Sequence, residues 1–142
     1  LLIDSGWRDR IAADPGLAPA AIAEALRVST PTPMMLRSVA APSSIGQVLV
    51  RPGDRILLGT YWANLPLADF DPSADTAAGL KQLWFGAGPH FCLGAPLAMA
   101  QIRLALGPLL EATELRVQRR RASRRVLIPA YSELVIRAGG RA

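Results

Sequence analysis

The sequence predicts an α+β fold, mainly helical, with small hairpins and a cysteine-bearing loop that opens into a following helix. Three observations carry that reading. An alanine-rich run at 19–28 begins with Pro, β-rich runs flank Arg51-Pro52-Gly53-Asp54, and an apolar stripe at helical spacing starts near Ala95. The 142 residues suit one compact domain, and 51% hydrophobic against 19% charged residues argues against a wholly disordered chain. Twelve Gly and twelve Pro predict much loop and turn.

Leu1 to Arg10 is short and mixed and reads as the end of a helix, followed by the turn signal Asp14-Pro15-Gly16. Pro19 to Val28 reads as a helix because Pro is preset for a first turn and Ala21, Ala23, Ala25 and Leu26 are good helix formers. Pro31 and Pro33 end it. Leu36 to Ala41 is a candidate strand. Ile45 to Val50 and Arg55 to Thr60 are expected to form a hairpin across Arg51-Pro52-Gly53-Asp54, since Pro then Gly is the type II turn pair. Tyr61 to Leu83 is irregular and proline-punctuated, too long for a simple connector. The helix from about Ala95 carries Leu97, Ala98, Ile102, Ala105, Leu106 and Leu109 as its apolar stripe, and Gly107-Pro108 is expected to kink or end it. Val126 to Ile128 and Leu134 to Arg137 are candidate strands about a turn near Ala130-Tyr131-Ser132.

A single Cys excludes an intrachain disulfide framework and any multi-cysteine zinc or iron–sulfur site, and a single His excludes a histidine cluster. A metal held by protein atoms alone is not expected; a metal arriving inside a cofactor stays open. Sixteen Lys+Arg against eleven Asp+Glu give a net charge of +5, concentrated in Arg119 to Arg125. That run reads first as a solvated loop, with docking of an acidic electron-transfer protein open beside it. Nucleic-acid binding is not expected, because the nearest aromatic is Tyr131 and no recognition helix adjoins. The apolar stretch from Ala95 to Leu110 is interrupted by Gln101, Arg103, Gly107 and Pro108, so no membrane span is expected. Asp4, Arg8, Asp9 and Arg10 argue against a signal peptide, the lone thiol fits a reducing compartment, and a cytoplasmic location is expected. The initial Leu suggests a piece of a longer chain.

The chemistry concentrates in Phe85-Gly86-Ala87-Gly88-Pro89-His90-Phe91-Cys92-Leu93-Gly94. Glycines there let the backbone turn tightly and approach another group closely. Cys92 lies just before the expected helix, where free N–H groups and the positive dipole end favour a thiolate. Such a sulfur suits axial ligation of an iron porphyrin, although a lone Cys beside a Gly-rich turn is also a common structural thiol. The segment resembles the haem-binding loop of the cytochrome P-450 family, F-G-x-G-x-H-x-C-x-G, at every fixed position, and continues into Leu97-Ala98 as in that family's ligand-side helix. Gln101 stands where the family commonly has an acidic residue.

Glu24-Ala25-Leu26-Arg27 is similar to the family's E-x-x-R helix, and three-residue spacing places both side chains on one helix face. Without the resemblance the pair reads as a surface ion pair of about 0–1 kcal/mol. The resemblance implies a structural clamp of Glu24 and Arg27 beneath the haem. It also implies that Cys92 is the axial iron ligand, that Arg37 and His90 hold the propionates, and that Phe85, Gly86 and Gly94 shape the sulfur's surroundings. Read bare, Arg37 is an exposed strand-end residue and His90 a loop residue. Ala63-Asn64 and Phe70-Asp71-Pro72 follow the family's order, but Leu65-Pro66-Leu67 replaces its Arg-Asp-Pro. No Arg follows in Ser73-Ala74-Asp75, so the clamp is expected as a pair rather than a triad.

The resemblance covers about Ala18 to Ile136 and corresponds to the C-terminal third or so of a full-length member, a partial domain over 1–142. It implies a haem-thiolate monooxygenase using O2, a small organic substrate, and electrons from NAD(P)H through a ferredoxin and ferredoxin reductase-type donor. The segment implied to carry the oxygen-activating residues is absent, so this chain alone is expected to be inactive. The alternative is a truncated, non-catalytic haem-binding remnant or interaction module.

Overall fold

Helix α1 (Trp7–Ala13) starts where Gly6 takes the left-handed conformation, φ 73°, and buries Trp7 and Ile11 one turn apart on the same face. The computed structural model describes residues 2–3, 6–64, 69–74, 83–126 and 128–139. Trp7 and Ile11 meet Ala21 in the core, flanked by Leu2, Leu17, Ala18, Phe70 and Leu110. The helical end read at Leu1 to Arg10 is thus the start of α1. The Asp14 carboxylate accepts the Gly16 N–H at 2.9 Å, which turns the chain from α1 into α2 (Ala18–Val28). Pro19 sits in the first turn of α2, as its preset φ favours, and the helix stops just before Pro31.

Strands form near 36–41 and 55–60 as read, though shorter, but the run read as one strand from Ile45 to Val50 is broken at Gly46-Gln47 and the pairing differs. β1 (Met35–Ser38) pairs antiparallel with β4 (Arg55–Leu58), while β2 (Ser43–Ile45) pairs with β3 (Val48–Val50). The expected hairpin between 45–50 and 55–60 is therefore replaced. Gly46, at φ 59°, supplies a left-handed first position, so Gly46-Gln47 closes the tighter two-residue hairpin within 43–50. The Pro52-Gly53 turn still forms, with Gly53 at φ 93° and the Asp54 N–H on the Arg51 carbonyl at 3.0 Å, but it redirects the chain toward β1.

The irregular stretch opens with a short helix, α3 (Thr60–Asn64); Leu65-Pro66-Leu67 and Asp75 lie outside the described residues. Helix α4 (Ala95–Glu111) packs on α1 and α2, and the Arg8 Nε–H donates to the Leu109 carbonyl at 3.2 Å. Pro108 neither ends it nor stops its last turn, since the Ala112 N–H reaches the Pro108 carbonyl at 3.2 Å. The bond Pro108 forgoes belongs to Leu104, which is exposed, so the loss falls on the solvent side. The apolar stripe is narrower than expected: Ala95 and Leu106 are buried, Ala98, Ile102 and Leu109 half-buried, and Leu97 and Ala105 exposed.

The C-terminal part is a long antiparallel ribbon of β5 (Glu114–Ala122) and β6 (Tyr131–Gly139). The strand expected at Val126 to Ile128 does not form at its described residues, and Arg119 to Arg121, read as a solvated loop, lie on β5. Charged residues tolerate a strand here because the ribbon is largely exposed on both faces and needs no apolar alternation.

Candidate functional site

The segment 85–94 is a self-closed loop. Its 3₁₀ turn Leu83–Phe85 passes to Gly86 at φ 75°, whose N–H bonds the Leu83 carbonyl at 3.0 Å. A second 3₁₀ turn, Gly88–His90, begins on Gly88 at φ 63°. The Phe91 N–H then bonds Gly88 O at 3.0 Å, and the Cys92 N–H returns to the Phe85 carbonyl at 2.8 Å. The Ala95 N–H bonds Cys92 O at 3.1 Å, so the cysteine is fixed where α4 begins. Cys92 is a free, exposed thiol.

The backbone requires glycine at 86 but not at 94. A Cβ on Gly94, at φ −82°, would stand 3.8 Å from the Cys92 sulfur, an ordinary van der Waals contact. At Gly86 a Cβ would stand 3.3 Å from the His90 carbonyl oxygen in a left-handed backbone. Gly86→Ala is expected to cost about 1–2 kcal/mol, read as a lowered midpoint in urea unfolding; an unchanged midpoint would show that the loop relaxes freely. The Phe85 and Phe91 rings meet edge-to-face, centroids 6.1 Å apart, and form an apolar flank to the same loop.

Arg37 on β1 and His90 in the loop line one pocket of about 410 Å³ with Leu58, Thr60, Gly86 and Ala87. The Arg37 guanidinium is exposed, donates to the Leu36 carbonyl at 3.0 Å, and has no carboxylate partner among the described residues. Thr60 is a site-wall residue that sequence reasoning missed: its hydroxyl donates to Thr32 O at 2.7 Å and ties α3 to the segment before β1. Only the T-P-T-P run hinted that this segment would be held by side chains.

Glu24 and Arg27 are both fully buried, not a surface pair. Arg27 Nε and Nη2 donate to the two Glu24 oxygens at 2.7 and 2.6 Å, a fork-to-fork geometry. The Glu24 carboxylate holds the Arg27 pKa above its ordinary value, against the opposing effect of burial. The loop residues 69–71 add backbone partners: Arg27 Nη2 donates to Asp69 O at 3.3 Å, and the Asp71 N–H donates to Glu24 Oε1 at 3.2 Å. The place that sequence reading left for a second arginine thus has a main-chain donor beside it.

Asp71 is itself braced by Ser73, whose hydroxyl and N–H donate to Oδ1 at 2.6 and 2.9 Å. The hydroxyl, then the N–H, and at longer range the Arg10 charge, hold its carboxyl below the usual range. A depressed carboxylate pKa contributes stability above its unfolded value, near ~3.9, and loses it as pH falls through the folded one. Ser73→Ala is therefore expected to raise the Asp71 pKa and move acid loosening of this loop to higher pH. Carboxyl chemical shifts titrated against pH measure it; coincident curves for the two proteins would refute it.

A family model described as Cytochrome P450 matches residues 16–137. The chain is 38% identical over 111 residues to the erythromycin C-12 hydroxylase of Saccharopolyspora erythraea, covering 72% of this chain and 27% of that protein. It is 34% identical over 122 residues to the putative cytochrome P450 YjiB of Bacillus subtilis, covering 79% and 29%. The open cytochrome P450 Eryk from S. erythraea superposes with a TM-score of 0.80 at 32% identity, covering 98% of this chain and 38% of that one. The chain thus spans less than a third of the length of these two curated relatives.

Proposed function

The chain belongs to the cytochrome P450 family, and from that premise we propose that it forms the haem-ligand side of a monooxygenase that oxidises a small organic substrate. One observation carries the assignment of the site. Arg37 and His90, distant in sequence, share a pocket whose wall runs through Gly86 and Ala87 into the Cys92 loop. A permanently charged fork and an imidazole suit the carboxylates at a porphyrin's edge, and the unshielded sulfur of Cys92 suits its iron. The residues present therefore fit a haem, with Cys92 as the metal ligand, Arg37 and His90 on propionates, and Phe85, Gly86 and Gly94 around the sulfur. Bound haem supplies O2 activation, for which a thiolate ligand is suited.

This chain's own part is to hold and orient. The Phe85–Cys92 hydrogen bond fixes the ligand's backbone, the two Phe rings keep water from one flank, and the Glu24–Arg27 pair fastens α2 to the 69–71 loop. Turnover is assigned to this partial domain, 1–142, only together with the remainder that its relatives possess. Electrons come from NAD(P)H through a ferredoxin and its reductase. No helix among the described residues is long and apolar enough to cross a membrane.

The test is retention of haem in the holoprotein. Arg37→Ala and His90→Ala are each expected to weaken it about 10-fold or more, the scale of one lost charge-assisted hydrogen bond, with the double variant weaker still. Equal haem dissociation rates for the double variant and the native protein would overturn the assignment.

A further inference from the structure

The β5–β6 ribbon carries a concentration of arginine, and an irregularity in its pairing decides where that charge points. Cross-strand partners share a face of a sheet. Arg116 opposite Arg137, Arg119 opposite Val135 and Arg121 opposite Glu133 therefore lie on one face, while Val117–Ile136 and Arg120–Leu134 lie on the other. The register shift between Val117 and Arg119 is what gathers the arginines. With strict alternation Arg119 and Arg121 would share the face of Val117; the extra residue, Gln118, returns them to the face of Arg116.

That face is of mixed sign with a positive excess. Glu114 accepts from Arg116 at 2.6 Å and Glu133 from Arg119 at 2.8 Å, whereas Arg121 and Arg137 are exposed and have no ion pair among the described residues. Arg116 directly opposite Arg137 is an unfavourable like-charge pairing in the free molecule, which an arriving anion would relieve. A run of phosphates would also meet Glu114 and Glu133. A protein surface can instead set carboxylates against the two unpaired guanidinium forks and leave the glutamates uncontested.

We propose that this face is an electrostatic anchor for an acidic electron-donor protein, an inference that rests on the function proposed above. The seventeen residues of α4 put about 25 Å, at 1.5 Å per residue, between the Cys92 end and the start of β5, while the other end of the ribbon, Ala122 and Tyr131, lines a pocket with Val28, Pro31 and Tyr61. The anchor captures and orients the donor, and acts on the rate of encounter rather than on events after docking.

The probe is an oxidised acidic [2Fe–2S] ferredoxin, with association to the full chain followed from about 20 to about 500 mM salt. The native association rate is expected to fall 10-fold or more over that range. Arg121→Glu with Arg137→Glu is expected to lower the low-salt rate about 10-fold and flatten its salt dependence, while the dissociation rate changes less than about 3-fold. Arg121→Gln with Arg137→Gln should fall between, which guards against a misfolded charge-reversal variant. Arg51→Glu with Arg55→Glu makes the same change in net charge away from the ribbon and is expected to cost far less. A native rate in the ribbon variants, or equal losses in both charge-reversed pairs, overturns the anchor. Tighter retention of a short DNA duplex than of the ferredoxin at about 150 mM salt also overturns it and makes the face a nucleic-acid surface. The reduced carbon monoxide spectrum of the same holoprotein separates the two readings: a missing thiolate signature sinks the Cys92 assignment, and an unchanged association rate sinks the anchor alone.

Discussion

Cys92→Ser is expected to abolish the thiolate signature of the reduced carbon monoxide complex in the holoprotein while leaving the loop folded. A serine hydroxyl is a harder donor and stays protonated where a cysteine ligand is a thiolate, so it cannot replace the sulfur's donation to iron. The substitution is otherwise mild here. The loop is closed by the main-chain bond from the Cys92 N–H to Phe85 O at 2.8 Å, which serine keeps, and the exposed side chain leaves no core cavity. Arg37 and His90 are untouched, so porphyrin should remain bound with an altered spectrum. A spectrum identical to that of the native protein would refute Cys92 as the ligand, and a collapse of the circular dichroism would show that its role is structural.

The second large effect is expected at the Glu24–Arg27 pair. Removing one partner, as in Glu24→Ala or Arg27→Ala, leaves a charge in a site that is about 1% exposed. The cost is about 3–5 kcal/mol, enough to lower the thermal midpoint by about 10 °C or more in a chain of this size. For many buried ion pairs, replacing both members by apolar residues of similar volume restores stability. This pair should not follow that pattern, because the Asp71 N–H and the Asp69 carbonyl also depend on it at 3.2 and 3.3 Å. Glu24→Leu with Arg27→Met is therefore expected to remain destabilised by the loss of those backbone partners, about 1–3 kcal/mol. Thermal unfolding of the native chain, the two single variants and the double variant decides this: a single variant as stable as the native chain, or a double variant fully restored, would refute it.

The two helices that flank the chemistry were legible because their signals are local. Pro19 and the alanines place α2 to within a residue, and the F-G-x-G-x-H-x-C-x-G pattern locates the Cys92 loop ahead of α4. The family was legible from the same residues. Strand pairing was not, because it depends on which of two adjacent turns is tighter, and Gly46-Gln47 carries a weaker signature than Pro52-Gly53. The arginine strand was hidden for a related reason: an exposed ribbon has no apolar period to read, and its phase depends on a bulge at Gln118. Thr60 and Asp69 escaped, and Asp71 was read only for its place in the family's order, because their bonds run through the Thr32 carbonyl, the Asp69 carbonyl and the Asp71 N–H, backbone atoms that a residue pattern does not display.

Leu36, Leu49, Leu57, Leu97 and Leu104 stand in the open, each more than half exposed. In thermodynamic terms these side chains leave apolar area in water that burial against another surface would favourably remove. The isolated chain's solubility should depend on concentration and on added detergent, and handling it apart from a complementary body invites self-association through whichever leucine-rich side is left bare.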